Sequence, residues 1–216
     1  MSAPIHPHEN APILETGVPI DEAKAAMVLI HGRGAGPHDM ISLLGHINGP
    51  GYAYKVPGAA NSTWYPNRFI VPRQQNEPYL SSALQKVDDV VAELVEQGIP
   101  TEKIMLLGFS QGACLAVEYA ARHPHRYGGV VALSGGLIGA DDELDDYDGQ
   151  LAGTPIYLGC DDADFHIPQQ RVHDSAAILS DMGADVTKQL FHGLGHTINN
   201  VELAVVRQMM QNLTAE

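Results

Sequence analysis

Four unbroken apolar runs constrain what this chain can fold into: Ala25-Ala26-Met27-Val28-Leu29-Ile30, Ile104-Met105-Leu106-Leu107, Val130-Val131-Ala132-Leu133 and Ile156-Tyr157-Leu158-Gly159-Cys160. None alternates apolar with polar residues, so each reads as a strand covered on both faces. Between them lie segments with helical spacing. Leu80, Ala83, Leu84, Val87, Val91, Leu94 and Val95 recur at three- and four-residue intervals, and the pattern stops at Gly98 and Pro100. Further helices are predicted over 39–46, 111–122, 168–183 and 197–213. Short strands are predicted over 69–71 and 185–191, with another starting at Ile13-Leu14. Strands alternating with helices predict an α/β fold, a mostly parallel central sheet with helices on both faces. Reactive groups in such sheets collect beyond the carboxyl ends of the strands. Here those ends are His31-Gly32, Ser110, Ser134, Cys160-Asp161 and Phe191-His192.

At 216 residues the chain suits one domain, assigned to 13–216, behind a flexible N-terminal arm over 1–12. His6 and His8 in that arm are expected to be solvated tail residues. Twelve Lys and Arg against 26 Asp and Glu give a net charge of −14. That field repels phosphate backbones and anionic lipid, which argues against nucleic acid and membrane-surface partners. No apolar run approaches a membrane span, so stable membrane insertion is not expected. Residues 1–10 lack a signal-peptide apolar core, and a cytoplasmic location is the expectation. Cys114 and Cys160 form no disulfide framework and no metal-ligand cluster, and both read as buried thiols. The sequence leaves the oligomeric state open, a homodimer included.

Gly108-Phe109-Ser110-Gln111-Gly112 stands where one apolar run meets a helical segment. A G-x-S-x-G sequence in that context is a nucleophile elbow, a sharp strand-to-helix turn that holds the serine above the sheet. A serine hydroxyl is a weak nucleophile and needs a base, and the base needs an orienting acid. The chain order for this arrangement is Ser, then Asp or Glu, then His. The acid belongs just after a strand end, where Asp161, Asp162 and Asp164 stand, and spacing alone divides the choice between Asp161 and Asp164. The base belongs after the last strand, where His192 and His196 both stand. Glycines just before His196 give it the freedom to reach the serine, so His196 is favoured. An acyl-transfer oxyanion needs two N–H donors. The backbone of Gln111 supplies one, and that of Arg33, in the glycine-rich loop after the first buried strand, supplies the other. That loop lacks the Walker lysine and the dinucleotide glycine pattern, which argues against a nucleotide site.

With these pieces in place the chain resembles the carboxylesterase/phospholipase family of α/β-hydrolases, which includes the acyl-protein thioesterases. The matching segments are Leu29-Ile30-His31-Gly32-Arg33-Gly34, Thr63-Trp64-Tyr65-Pro66, Gly108-Phe109-Ser110-Gln111-Gly112-Ala113, Asp164-Phe165-His166-Ile167-Pro168 and Gly195-His196-Thr197-Ile198. They run in the family's order over most of the chain. The family's Asp-x-x-Val-Pro pattern implies Asp164 as the triad acid, with Ile167 in place of valine. The resemblance also implies Arg33 and Gln111 as oxyanion donors, and it places Trp64 beside the acyl pocket. Leu43, Leu137 and Ile138 are candidates for the same apolar cleft, or for the core. Arg33 departs from the thioesterase members, which usually carry an apolar residue there.

Residues 141–148 hold six acids without the spacing of a calcium loop, and are expected to be a solvated loop. The insertion there is short, so the expected α/β-hydrolase fold has a minimal lid and an open site. The resemblance implies a serine hydrolase acting on carboxylic esters through an acyl-enzyme. Small or medium acyl esters, lysophospholipids and thioesters are all open as small-molecule substrates, and neither cofactor nor metal is needed. Two other readings stand beside it: a dienelactone-type hydrolase with a cysteine nucleophile, and a non-catalytic binding protein on a hydrolase scaffold.

Overall fold

The computed structural model describes residues 6–215. Seven strands form one sheet: β1 (Ile13–Gly17), β2 (Ala25–Ile30), β3 (Tyr52–Pro57), β4 (Ile104–Phe109), β5 (Gly129–Leu133), β6 (Pro155–Asp161) and β7 (Asp185–Phe191). Their order is β1-β3-β2-β4-β5-β6-β7. Only β1, at one edge, runs antiparallel to its neighbour β3. The remaining pairs are parallel, so their carboxyl ends emerge together.

Helices α1 (Pro37–Ile47), α2 (Tyr79–Glu96), α3 (Gln111–Arg122), α4 (Gln169–Asp181) and α5 (Asn200–Thr214) cover the sheet. The two-residue period of a strand sorts its side chains between two cores. Ala26, Val28, Ile30, Leu106, Val130 and Leu158 pack with α2, α3 and α4. Ala25, Met27, Leu29, Leu107, Val131 and Tyr157 pack with α1 and α5. Every residue of β2 is buried, as its unbroken apolar run requires.

Several sequence expectations are corrected. Residues 69–71 form no strand; Phe69 is buried, but the segment runs irregularly into a short 3-10 turn, Arg73–Asn76. The strand Tyr52–Pro57 was not anticipated, because Lys55 interrupts its apolar run. The Lys55 ammonium is satisfied by Glu15 of β1 and by Glu93 of α2, the latter at 2.9 Å. That pairing lets a lysine sit inside a fully buried strand.

The expected loose arm is docked from His8 onward, while residues 1–5 lie outside the described residues. His8 is fully buried rather than solvated. Its Nδ1 accepts the Ala60 N–H at 3.0 Å and its Nε2 donates to the Trp64 carbonyl at 2.8 Å, which defines the neutral Nε2–H tautomer. Burial pushes its pKa down.

The acidic segment is also not a free solvated loop. Asp141 pairs with Arg171 at 2.7 Å, and Asp146 with Arg73 at 2.8 Å. Tyr147 donates to the fully buried Glu118 at 2.7 Å, which also meets Arg122 at 2.6 Å. These bonds fasten the segment after β5 to α3 and α4 beside the carboxyl edge of the sheet.

Candidate active site

Ser110 links β4 to α3 with φ 55° and ψ −118°, a left-handed conformation that costs a serine free energy. Close packing enforces the turn. A Cβ on Gly108 would lie 2.1 Å from the Gly112 carbonyl oxygen, and one on Gly112 would lie 2.1 Å from that of Ile30. Both positions therefore require glycine, and the serine is held over the first turn of α3. The Ser110 N–H is fixed by the Leu133 carbonyl at 2.9 Å.

His196 comes from the loop between β7 and α5. Its Nε2 lies 2.8 Å from Ser110 Oγ, and its Nδ1 lies 2.6 Å from Asp164 Oδ2. With Nδ1–H donating to the carboxylate, Nε2 is left to accept the serine O–H. The other Asp164 oxygen accepts the N–H groups of His166 at 2.8 Å and Ile167 at 3.2 Å. The carboxyl side chain is fully buried. The His196 ring packs against Phe109 at 5.2 Å and His166 at 4.7 Å between centroids. This arrangement can carry a proton away from the serine and hold the resulting cation.

The two residues left open by spacing stand elsewhere. His192 is exposed and pairs with Asp162 at 3.1 Å. Asp161 faces the loop that carries His196 without bonding to its imidazole. It accepts the N–H of Gly195 at 2.9 Å, that of Leu194, and that of Ala163 at 2.8 Å. Those N–H groups, Gly195 and Ala163 foremost, hold its pKa below the usual carboxylate range.

Arg33 and Gln111 both border the cleft beside Ser110. Gln111 opens α3, and the first N–H groups of a helix have no acceptor within it. Their positive dipole end faces the serine. The two side chains are otherwise engaged. Arg33 donates to the carbonyls of Tyr65 and Asn67 at 2.8 Å and of Pro66 at 2.9 Å. Gln111 Oε1 accepts the Trp64 N–H at 2.9 Å, and its Nε2 donates to the Tyr65 carbonyl at 2.8 Å. The sequence pattern draws attention to the backbone of Gln111 and gives little sign of this side-chain clamp. An amide side chain directly after Ser110 was its only sequence signal.

The cleft above Ser110 has a volume of about 640 Å³. Tyr65, Phe69, Phe109 and Ile167 supply its apolar wall. Trp64, expected beside the acyl pocket, is fully buried beneath it and does not line it. Its indole donates to the His31 carbonyl at 2.9 Å, and its ring packs on the His31 imidazole at 5.0 Å. Leu137 and Ile138 are likewise core residues with no exposure. Leu43 borders an adjoining hollow of about 300 Å³ with Met40 and Ile198, which shares Gly32, Ala35 and Phe109 with the cleft. Among the described residues no cluster of His, Cys, Asp and Glu is arranged to hold a metal. No described helix is long and apolar enough to cross a membrane.

The parallel sheet, its strand order and the elbow turn between β4 and α3 define an α/β-hydrolase fold. The chain belongs to the phospholipase/carboxylesterase family, which residues 11–214 match. It is similar to acyl-protein thioesterase 1 of Kluyveromyces lactis, 28% identical over 61% of this chain and 59% of that protein. It is also similar to a probable carboxylesterase of Oryza sativa subsp. japonica, 25% identical over 64% of this chain and 59% of that protein. The match thus spans less than two thirds of the length of both relatives. A solved phospholipase/carboxylesterase from Dyadobacter fermentans superposes with a TM-score of 0.91 at 42% identity, covering 96% of this chain and 99% of that one.

Proposed function

We propose that this protein hydrolyses carboxylic esters, oxygen esters or thioesters, through an acyl-enzyme on Ser110. The observation that carries this reading is the continuous chain of hydrogen bonds from Ser110 Oγ through His196 to Asp164, at 2.8 and 2.6 Å. Ser110 Oγ attacks the acyl carbonyl as His196 Nε2 takes its proton. Asp164 orients the ring and stabilises the imidazolium. The N–H groups of Arg33 and Gln111 receive the oxyanion, aided by the α3 dipole. Collapse expels the alcohol or thiol, which takes the proton from Nε2. Water then repeats the sequence on the acyl-enzyme and frees the acid. The similarity to proteins named thioesterase and carboxylesterase supports both ester types.

The cysteine-nucleophile alternative is disfavoured by the state of Cys114. It lies inside α3, is 1% exposed, and burial pushes its thiol up to about 12, so thiolate is scarce near neutral pH. The binding-protein alternative is disfavoured by a triad with no missing member.

A chain-length series of p-nitrophenyl esters with a fluorophosphonate probe tests the reading. Ser110→Ala and His196→Ala are expected to lose turnover by at least about a thousandfold, and Ser110→Ala to lose labelling. His192→Ala is expected to retain most activity. Full turnover by folded Ser110→Ala would overturn the assignment.

A further inference from the structure

The charge of the cleft opposes that of the molecule. The chain has 26 acidic residues, yet none lines the cleft, while Arg33 and Arg68 both do. Of the other five arginines, three are matched to carboxylates, Arg73 to Asp146 at 2.8 Å, Arg122 to Glu118 at 2.6 Å and Arg171 to Asp141 at 2.7 Å, while Arg126 and Arg207, away from the cleft, donate to the carbonyls of Gly153 and His46. Among the described residues, neither Arg33 nor Arg68 makes an ion pair.

The two differ in how they are held. Arg33 donates to three backbone carbonyls, which fix the guanidinium without cancelling its charge. Arg68 is exposed, and its guanidinium makes one long bond across the cleft, 3.4 Å to the His166 carbonyl. Most of its five N–H donors are therefore free to meet a ligand. The His166 ring in turn stands 4.7 Å from the ring of His196, so Arg68 reaches the rim of the reacting centre. An unpaired guanidinium at a cleft mouth suits a planar oxyanion, which it can bind with two parallel hydrogen bonds. In a molecule of net charge −14, such a mouth also offsets the repulsion that an anionic substrate meets elsewhere.

We propose that the preferred ester bears a negatively charged oxyanion group, such as a carboxylate, which Arg68 binds with the charge of Arg33 behind it. This deepens the esterase reading and rests on it. The group belongs to either the acyl or the alcohol part of the ester, and matched pairs of substrates separate the two. Mono-p-nitrophenyl adipate against p-nitrophenyl hexanoate places the charge on the acyl part. 3-Butyryloxybenzoate against phenyl butyrate places it on the alcohol part.

In one pair the wild type is expected to show the higher kcat/KM on the charged member, and the preference is expected to shrink as salt is raised. Arg68→Gln is expected to lower kcat/KM on that member about fivefold more than on its neutral partner, mainly through KM. Arg68→Lys is expected to recover part of the preference. A wild type that favours the neutral member of both pairs, or treats the members alike, overturns the proposal, as does an Arg68→Gln loss equal on both. Salt dependence of the wild type decides the matter if Arg68→Gln fails to fold. A wild type that turns over none of the four esters overturns the esterase reading instead, because the neutral members require only Ser110 and its partners.

Discussion

The Asp161 carboxylate accepts the backbone N–H of Gly195 at 2.9 Å, one residue before His196. It also takes the N–H of Leu194 and, through its other oxygen, that of Ala163. One side chain at the end of β6 thus joins the loop carrying Asp164 to the loop carrying His196. Both loops lie outside the regular strands and helices, and this tie joins them one residue from His196.

Asp161→Ala is expected to leave the fold intact and to lower kcat about tenfold to a hundredfold, as a loosened base costs alignment. The loss on Asp164→Ala should be larger, since that change removes a contact to the imidazole itself. Measuring kcat for both variants on one p-nitrophenyl ester checks the order. An Asp161→Ala enzyme with wild-type kcat would show that the loop holds its place unaided.

Gln111 and Arg33 share an acceptor, the Tyr65 carbonyl, at 2.8 Å from each. Gln111→Ala also strips the Trp64 N–H of its acceptor in a buried place. It is expected to cost about 1–3 kcal/mol in urea unfolding and to raise KM, although the backbone N–H at 111 remains. Arg33→Ala should raise KM too. The double variant is expected to lose less than the sum, because both side chains hold the same segment of cleft wall. Additive losses in the cycle would mean that the two clamps act independently.

Glu202 is fully buried on α5, where its Oε2 accepts the Asn199 N–H at 2.9 Å. Its Oε1 has no hydrogen-bond partner among the described residues and lies against Gly159 of β6. Burial pushes its pKa up to about 7, above the ordinary 4.5. The folded protein then binds a proton that the unfolded chain releases, so this group lowers stability as pH rises from 4.5 through 7. The effect at alkaline pH amounts to at most about 3 kcal/mol. Urea melts of Glu202→Gln should lose less stability than wild type between pH 5 and pH 8, on the order of this window. An unchanged pH slope would assign the dependence to other groups.

His8 and His31 give a slope of the opposite sign. Both are buried, and burial pushes both pKa values down. His31 Nε2 accepts the Ala59 N–H at 3.1 Å, as His8 Nδ1 accepts that of Ala60 at 3.0 Å. Protonating either ring abolishes an acceptor. Their contribution is present above their ordinary value of 6.5 and is lost as pH falls below it. His8→Ala is expected to cost about 1–3 kcal/mol at pH 7.5 and to flatten part of the acid-side loss. Equal losses at pH 5 and pH 7.5 would refute the titration argument.

Much of the fold was legible because buried strands write themselves as apolar runs. β2, β4, β5 and β6 were located that way, and the elbow followed from two glycines around Ser110. Strand β3 was missed because a local pattern does not reveal that Lys55 meets Glu15 and Glu93. The strand expected over 69–71 failed for the complementary reason. Its apolar residues serve the cleft wall and core without a neighbouring strand to pair with. His8 looked like a tail residue because nothing near it in sequence announces the Trp64 carbonyl 56 positions away.

The sequence by itself determined the parallel α/β architecture, the serine on its strained turn and the short set of acids and bases that could serve it. Spacing could not choose between Asp161 and Asp164, because both stand within four residues of one another at the end of the same strand. The family pattern favoured Asp164, and the fold gave the two carboxylates different partners: one turns toward His196 Nδ1 and the other toward the loop that carries it. Only the tertiary structure decided that Trp64 and Leu137 are buried in the core instead of lining the cleft, and that Arg68 stands without an ion pair at its mouth. These are facts of which side chains meet across the carboxyl edge of the sheet. Residues separated by tens of positions meet there, and a local period of two or 3.6 carries no record of it.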